Sequence, residues 1–490
     1  MRFAGEAPPP GAVSCGVILA AGEGRRLSTV HGVPKPATEI LGLSLGERVM
    51  LACLGAGVDR FVIVLGAQAE TVRAHFERVA ARRGCAVDFV TAADWPLGNG
   101  VSTLAARDLV EDARFLLVMA DHLVSASLIQ QVLRGPLGPG DVGLGVDHDT
   151  AGLFDLDDAM KVDIDEGRVR RIGKQLRTWN AVDTGVFLAT PALFDALEDA
   201  GQRGRYGLCD GIESLAEDGR VQAIDVTGEP WIDVDTPAAL REARRRLLQS
   251  LGKPGADGYV AAHLNRRLSV PISARLAQTP VTPTQITVVS FLIALGGAAC
   301  FAVGGHWTAV IGALLVQLSS VVDGCDGELA RLRHLATARG GWLDTMLDRY
   351  ADAAVVVGIT LGYAAGHAGV LPWLGGMAAS TGFLLASYTT KEYALSHGTA
   401  YPNDWLNRLK RRDLRLFVIA CGGLIGYPYY AMVAMGALSH LVIMGILATG
   451  WRSPQMGPGM SRRSHRPAVT PASTPRHRVD SPDPAVSKVS

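Results

Sequence analysis

The stretch D-G-C-D-G-E-L-A-R, Asp323 to Arg331, is followed after eight residues by G-G-W-L-D-T-M-L-D, Gly340 to Asp348, and the whole lies between long apolar runs. With both pieces helical, the i,i+3 spacing of Asp323 and Asp326 and the i,i+4 spacing of Asp344 and Asp348 put each pair on one helix face. Four carboxylates can then converge. Such a cluster repels itself unless cations neutralise it, and hard divalent cations such as Mg2+ or Mn2+ take carboxylate oxygens as ligands. The pattern predicts metal-assisted phosphoryl transfer rather than a solvated acidic loop.

Outward from it, apolar runs near 284–304, 307–322, 346–365, 369–390, 414–428 and 431–450 predict an all-α, polytopic membrane domain of six transmembrane helices. Arg331, Arg333, Arg339, Lys391, Arg408, Lys410, Arg411 and Arg412 fall in segments on one side, whereas the turns near Gly305, His367 and Tyr427 carry no Lys or Arg. The positive-inside rule then makes the protein a multi-pass protein of the cell (inner) membrane with both ends cytoplasmic, and the acidic motif at the cytoplasmic ends of its helices. His306 and His367 read as interfacial residues of the outer turns. Arg412 and Arg415, where a helix enters from the cytoplasm, suit an acceptor phosphate or anchor the topology.

Before residue 250 acids and bases are interspersed as in a soluble domain. The 47 basic and 47 acidic residues of the 490-residue chain balance, so no global positive field argues for nucleic acid. The seven cysteines are scattered without a C-x2-C pair, which excludes the spacing of a zinc site or disulfide framework. The first residues, M-R-F-A-G-E-A-P-P-P, interrupt any signal-peptide core, so this half is expected to stay in the cytoplasm. C-G-V-I-L-A-A-G-E-G-R-R-L from Cys15 reads as a buried strand entering a glycine-rich loop, in which Leu19, Ala20, Ala21, Gly22 and Gly24 surround a nucleotide's phosphates. Arg26 and Lys35 can supply positive charge as pyrophosphate leaves. Runs at 60–66 and 114–120, separated by helical stretches such as Ala69 to Arg83, predict a Rossmann-like α/β fold with a mostly parallel sheet. Asp121 follows one such strand, where a metal-binding carboxylate belongs. Gly98, Asn99 and Gly100 offer a turn with amides able to face a base. In W-I-D-V-D-T, Asp233 and Asp235 lie two apart and so on one face of a strand. Either is a candidate second metal ligand, Asp235 being favoured. D-T-G at 183–185 borders the acceptor pocket or is an ordinary turn.

The expected organisation is a soluble α/β domain at 12–251, a linker at 252–258, a membrane domain at 259–451 that opens with a helix on the cytoplasmic surface, and a disordered basic tail at 452–490.

D-x2-D-G-x2-A-R-x8-G-x3-D-x3-D, filled at every specified position through Gly327, Ala330, Arg331 and Gly340, resembles the signature of the CDP-alcohol phosphatidyltransferase family. The resemblance implies that Asp323, Asp326, Asp344 and Asp348 hold two divalent metals and the CDP pyrophosphate, with Asp348 deprotonating the attacking hydroxyl. Gly327 and Ala330 would let the nucleotide approach the backbone beside Arg331. L-A-A-G-x-G-x-R with P-K-P nine residues on resembles the MobA-like nucleotidyltransferases that make NDP-sugars and CDP-alcohols, although position 25, often Thr there, is Arg here. The pairing of the two resembles the bifunctional inositol-1-phosphate cytidylyltransferase and di-myo-inositol phosphate phosphate synthase family.

That resemblance implies CTP and a polar alcohol phosphate as substrates, a CDP-alcohol intermediate, inositol as the alcohol, and transfer to an acceptor hydroxyl with release of CMP. An inositol phosphate acceptor gives a soluble phosphodiester, whereas a membrane lipid acceptor gives a phospholipid. A homodimer through the membrane domain is a further expectation. The rival from another class, a transporter or scaffold with a nucleotide-sensing domain, explains intramembrane acids but needs neither motif in full.

Overall fold

In the computed structural model of the chain, residues 13–27, 32–110, 114–252, 257–402, 404–452 and 477–478 are described. The opening segment 1–12, the middle of the expected linker and nearly all of the expected tail lie outside them. The chain divides into two compact units, parted at Arg245 and Arg246.

The first unit begins with β1 (Cys15–Ala20), short strands β2 (Glu39–Ile40) and β3 (Leu43–Ser44), and α1 (Leu45–Ala56). It continues through β4 (Arg60–Leu65), α2 (Ala69–Arg83), β5 (Ala86–Thr91), α3 (Asn99–Leu104), β6 (Phe115–Met119), β7 (His122–Val124) and α4 (Ala126–Arg134). Then come β8 (Val142–Asp147), β9 (Lys161–Asp165), β10 (Arg168–Gly173), β11 (Thr178–Trp179), β12 (Ala181–Ala189), α5 (Ala192–Gln202), α6 (Leu208–Glu217), β13 (Val221–Asp225), β14 (Trp231–Asp233) and α7 (Pro237–Gln249). The described pair His477–Arg478 lies antiparallel to β11.

Nine of the described strands form one sheet in the order β5-β4-β1-β6-β12-β8-β13-β10-β9. The half read from sequence is parallel throughout, with β1 between β4 and β6. Beyond β6 the sheet turns mixed, because β12 runs antiparallel to both β6 and β8. The unbroken apolar runs of β1, β4 and β6 follow from burial on both faces, where two clusters of buried side chains pack against them. The loops after β1 and β6 therefore leave the same edge at the point where the chain switches direction across the sheet, the usual place for a ligand cleft in such folds.

The second unit is helical: α8 (Arg266–Leu276), α9 (Pro283–Val303), α10 (His306–Leu332), α11 (Ala338–Ala364), α12 (Leu371–His397), α13 (Trp405–Leu409), α14 (Arg412–Leu424) and α15 (Pro428–Arg452). Six of these cover the six apolar runs. Among the described residues, three meet the length and apolarity needed to cross a bilayer: α9, α10 and Pro428–Thr449 of α15. Helix α14, at 13 residues, spans only about 20 Å at 1.5 Å per residue, short of a hydrocarbon core of about 30 Å. Large apolar side chains on the outside, such as Leu292, Trp307, Leu314 and Leu441, suit a lipid surround.

Helix α8 inverts the usual pattern. It turns Ser269 and Ser273 inward, with Asn265 before them, while Leu264, Leu268 and Ile272 at fourfold spacing face outward. Glu328 of α10 is what the buried face serves. This fully buried carboxylate accepts hydrogen bonds from Ser269 and Ser273, both 2.6 Å, and an ion pair from Arg266. A lone buried charge would be costly, so α8 is fixed to the helix that carries the acidic motif.

Candidate active sites

In the first unit, β1 delivers Leu19, Ala20 and Ala21 to a loop that carries Gly22, Gly24 and Arg26, and β6 delivers Asp121. A cleft of about 310 Å³ lies between them, reached by Gly22, Gly24, Arg26, Lys35, Asp121 and Asp235. Gly24 needs its lack of a side chain twice over: its φ is +58°, and a Cβ there would meet Lys35 Cβ at 2.6 Å.

Lys35 is almost wholly buried, and its ammonium lies 2.6 Å from Asp121 Oδ2 and 3.9 Å from Asp233 Oδ1, with Asp235 also ion-paired to it. Burial alone would lower its pKa, but the three carboxylates outweigh that and hold it well above the ordinary lysine value. Arg26 reaches Asp235 at 2.7 Å and Asp158 at 3.3 Å. Asp233 and Asp235 do not share a strand face, although both carboxylates reach Lys35. Strand β14 stops at Asp233, and Asp235 lies beyond it.

The two also have different neighbours. Asp121, His122 and Asp233 each place one ligand atom within 4.8 Å of the others, whereas Asp235 is held by Lys35 and Arg26. Asp121 Oδ1 and Asp233 Oδ1 are buried and accept no hydrogen bond. Buried carboxylate oxygens that accept no hydrogen bond are what a divalent cation takes as ligands, so this set fits one. His122, absent from the sequence reading, follows Asp121 directly; the only signal was its place just after a strand. Burial would lower its pKa, but Asp233 and Asp121 push it up to about 10. The D-T-G segment lies under it: Thr184 O accepts from His122 Nδ1 at 3.0 Å, and burial pushes the neighbouring Asp183 up to about 6.

The Gly98, Asn99 and Gly100 turn is bound up elsewhere. Gly100 N–H donates to Tyr206 O at 3.0 Å and Asn99 Oδ1 accepts from Leu208 N at 2.8 Å. Those two groups therefore hold α3 against α6 rather than facing a base, and a Cβ on Gly100 would meet the Tyr206 carbonyl at 2.7 Å.

In the second unit, α10 carries Asp323, Asp326, Gly327, Ala330 and Arg331, and α11 carries Asp344 and Asp348. Asp323, Asp344 and Asp348 bring one oxygen each within 4.8 Å of one another. Asp326, one turn away, accepts from Thr287 Oγ1 at 2.6 Å. Ser290 donates to Asp323 at 3.3 Å. Arg412, the first residue of α14, reaches into the cluster: its Nη1 lies 3.1 Å from Asp323 and 2.8 Å from Asp348. Its Nε lies 2.9 Å from Asp352, a further acid one turn beyond Asp348 that the sequence reading passed over. An all-carboxylate set beside the Arg412 guanidinium fits a hard cation as well.

Arg412 also lines a cavity of about 280 Å³ with Asp257, Asn265, Ser269, Asp323 and Asp348. Arg415 does not reach it. It is 2% exposed and its donors go to Phe383 O at 3.0 Å and Asp352 at 3.1 Å. Arg331 donates to Leu251 O at 3.1 Å. Gly327 is open enough that an added Cβ would meet only Arg331 Nη1, at 3.3 Å.

Comparison with known proteins gives two family matches: a CDP-alcohol phosphatidyltransferase domain over residues 280–449 and a MobA-like NTP transferase domain over residues 16–142. The chain is 38% identical over 427 residues to a bifunctional IPC transferase and DIPP synthase of Rubrobacter xylanophilus, covering 86% of this chain and 93% of that one. The corresponding protein of Archaeoglobus fulgidus is 35% identical, over 82% of this chain and 76% of its own length. The structure of the inositol-1-phosphate CTP transferase from T. maritima is 28% identical, covers 48% of this chain and 94% of that one, and gives a TM-score of 0.44.

Proposed function

Since this chain belongs to the family of bifunctional IPC transferases and DIPP synthases, we propose that it makes CDP-inositol from CTP and inositol 1-phosphate in its first unit and consumes CDP-inositol in its second. The observation that carries the reading is that each unit has its own carboxylate cluster at a polar cleft, one beside a glycine-rich loop and one where two long helices meet.

In the first reaction an oxygen of inositol 1-phosphate attacks the α-phosphorus of CTP, the bond to the bridging oxygen breaks and pyrophosphate leaves. The loop amides around Gly22 and Gly24 bind the phosphates, while Arg26 and Lys35 offset the charge that builds on the leaving group. Asp121 with Asp233 or Asp235 would hold a divalent metal, which when bound neutralises the triphosphate. Asp233 has the better claim, because it shares the pocket of unsatisfied oxygens with Asp121.

In the second reaction the hydroxyl of an inositol phosphate attacks the inositol-bearing phosphorus of CDP-inositol, a P–O bond forms and CMP leaves. Asp348 takes the hydroxyl proton. Asp323, Asp326 and Asp344 with Asp348 would hold Mg2+ or Mn2+, which when bound screens the pyrophosphate. Arg412 binds the acceptor's phosphate from the cavity wall; Arg415 supports it through the shared Asp352. The polar cavity lining favours a soluble phosphorylated polyol over a lipid acceptor.

The second unit is a membrane domain in which six helices cover the apolar runs, α14 being too short to cross the core by itself. Its α8 lies on the cytoplasmic surface with Leu264, Leu268 and Ile272 in the bilayer, and the first unit faces the cytoplasm. Purified protein given CTP, Mg2+ and inositol 1-phosphate should release pyrophosphate, then CMP, with CDP-inositol and a phosphodiester identified by mass spectrometry. A product containing lipid would displace the soluble-acceptor reading.

A further inference from the structure

The imidazole of His122 is more elaborately seated than a packing histidine requires. Its Nδ1 lies 3.0 Å from Thr184 O, and because a carbonyl only accepts, Nδ1 carries the hydrogen. Nε2 is thereby turned to the opposite side, toward the carboxylates. The carbonyl is itself fixed: Thr184 is fully buried and its hydroxyl donates to Gly145 O at 2.8 Å. Gly185 follows with φ +73°, and any side chain there would collide with the ring. Asp183 holds this turn by accepting from Gly185 N at 2.6 Å. The D-T-G segment is thus a seat for one imidazole in one orientation.

In that orientation Nε2 lies 3.8 Å from Asp121 Oδ1 and 3.6 Å from Asp233 Oδ2. Both separations are longer than ordinary hydrogen bonds. They are close to the spacing of ligands around a shared ion. With metal–ligand bonds of about 2.1 Å, two ligands lie about 3.0 Å apart at a right angle and about 3.4 Å apart at the tetrahedral angle. The closure needed is about 0.2–0.4 Å for the tetrahedral angle and about 0.6–0.8 Å for a right angle.

We infer that His122 Nε2 is a ligand of the divalent metal in the nucleotidyl-transfer cleft, together with Asp121 and Asp233. Only neutral imidazole ligates, so the ion displaces to solvent the Nε2 proton that the two carboxylates favour in its absence. The inference rests on the reading of this cleft as a metal-dependent site. Its chemical consequence is selectivity. An imidazole nitrogen raises affinity for Mn2+ and Co2+ relative to Mg2+, whereas the Asp323, Asp344 and Asp348 set offers oxygen alone and gains nothing of the kind. The Thr184 carbonyl is then the outer partner that fixes the ligand's tautomer.

The test uses tag-free, full-length protein with Asp323→Asn and Asp348→Asn introduced to weaken the second cluster. Substoichiometric Mn2+ is added, and electron spin echo modulation is recorded. Directly bound imidazole should give strong ¹⁴N modulation that collapses when the histidines are ¹⁵N-labelled, a readout that needs no change at His122. His122→Gln should abolish it and weaken Mn2+ by at least the roughly 10- to 100-fold that loss of an outer-shell partner costs, with a smaller loss for Mg2+. Mn2+ that depends on Asp121 yet shows no histidine-nitrogen coupling would overturn the inference alone. Mn2+ binding unaffected by Asp121→Asn would overturn the reading of the cleft as well.

Discussion

Replacing Asp352 by Asn tests whether the acidic cluster of the second unit is held in place from behind. The carboxylate is 7% exposed and meets three guanidiniums: Arg412 at 2.9 Å, Arg415 at 3.1 Å and Arg349 at 3.4 Å. Asn keeps the shape and can still accept a hydrogen bond, but it removes the one negative charge that Arg415 pairs with among the described residues. Arg412 retains Asp323 and Asp348, so the uncompensated charge falls on Arg415, which is 2% exposed. Removing one partner of a buried pair costs roughly 3–5 kcal/mol. At about 2–4 °C per kcal/mol for a unit of this size, the midpoint of thermal unfolding in detergent should fall by about 6–20 °C. At temperatures where the variant remains folded, transfer from supplied CDP-inositol should drop roughly 10- to 100-fold, as when the outer partner of a reacting group is lost. Most of that loss should be in KM for the phosphorylated acceptor, since Arg412 loses its anchor. A midpoint within about 2 °C of the parent, with unchanged transfer, would refute the claim that Asp352 positions Arg412.

Asp348→Asn should lower the transfer rate by about 100- to 10,000-fold with donor affinity largely kept, whereas Asp323→Asn should weaken donor and metal binding; near-normal transfer by Asp348→Asn would remove it from the role of base. Gly24→Ala forces a left-handed alanine, costing roughly 1–2 kcal/mol, against the Lys35 stem, so CTP turnover should fall while transfer from supplied CDP-inositol persists. Asp183 has a folded pKa of about 6 against an ordinary value of 3.8, so the folded state binds more protons between those values and loses stability as pH rises through them. In chelator, Asp183→Asn should therefore raise the first unit's melting point at pH 7 by the equivalent of up to about 3 kcal/mol and show little gain at pH 4; equal gains at both would contradict the burial argument.

Features coded by local spacing were legible in the sequence. The glycine loop and the two Asp pairs on α10 and α11 depend on residues close in the chain; Gly22, Gly24, Lys35 and Asp121 line one cleft, and Asp323, Asp344 and Asp348 gather on facing helices. Features set by which way a helix rolls were not. Arg412 and Arg415 read alike, yet on α14 the first points into the acidic cavity and the second is buried against Phe383 and Asp352. Gly100 looked available because the carbonyl that takes its amide, Tyr206 O, comes far later in the chain. Glu328 sat unremarked inside the motif, since its partners Arg266, Ser269 and Ser273 belong to a different helix. The mixed half of the sheet escaped because β8 through β13 combine parallel and antiparallel neighbours without the strand–helix rhythm that marked β1, β4 and β6.

The central claim, two separate reactions joined by CDP-inositol, is tested most directly by following that intermediate in two full-length variants. Each receives CTP, Mg2+ and inositol 1-phosphate, with and without added CDP-inositol, and products are resolved by mass spectrometry. The account predicts that Asp121→Asn makes no CDP-inositol but converts the added compound to phosphodiester and CMP, while Asp348→Asn releases pyrophosphate and accumulates CDP-inositol. Loss of both reactions in either variant, shown to be folded and membrane-inserted, would contradict it.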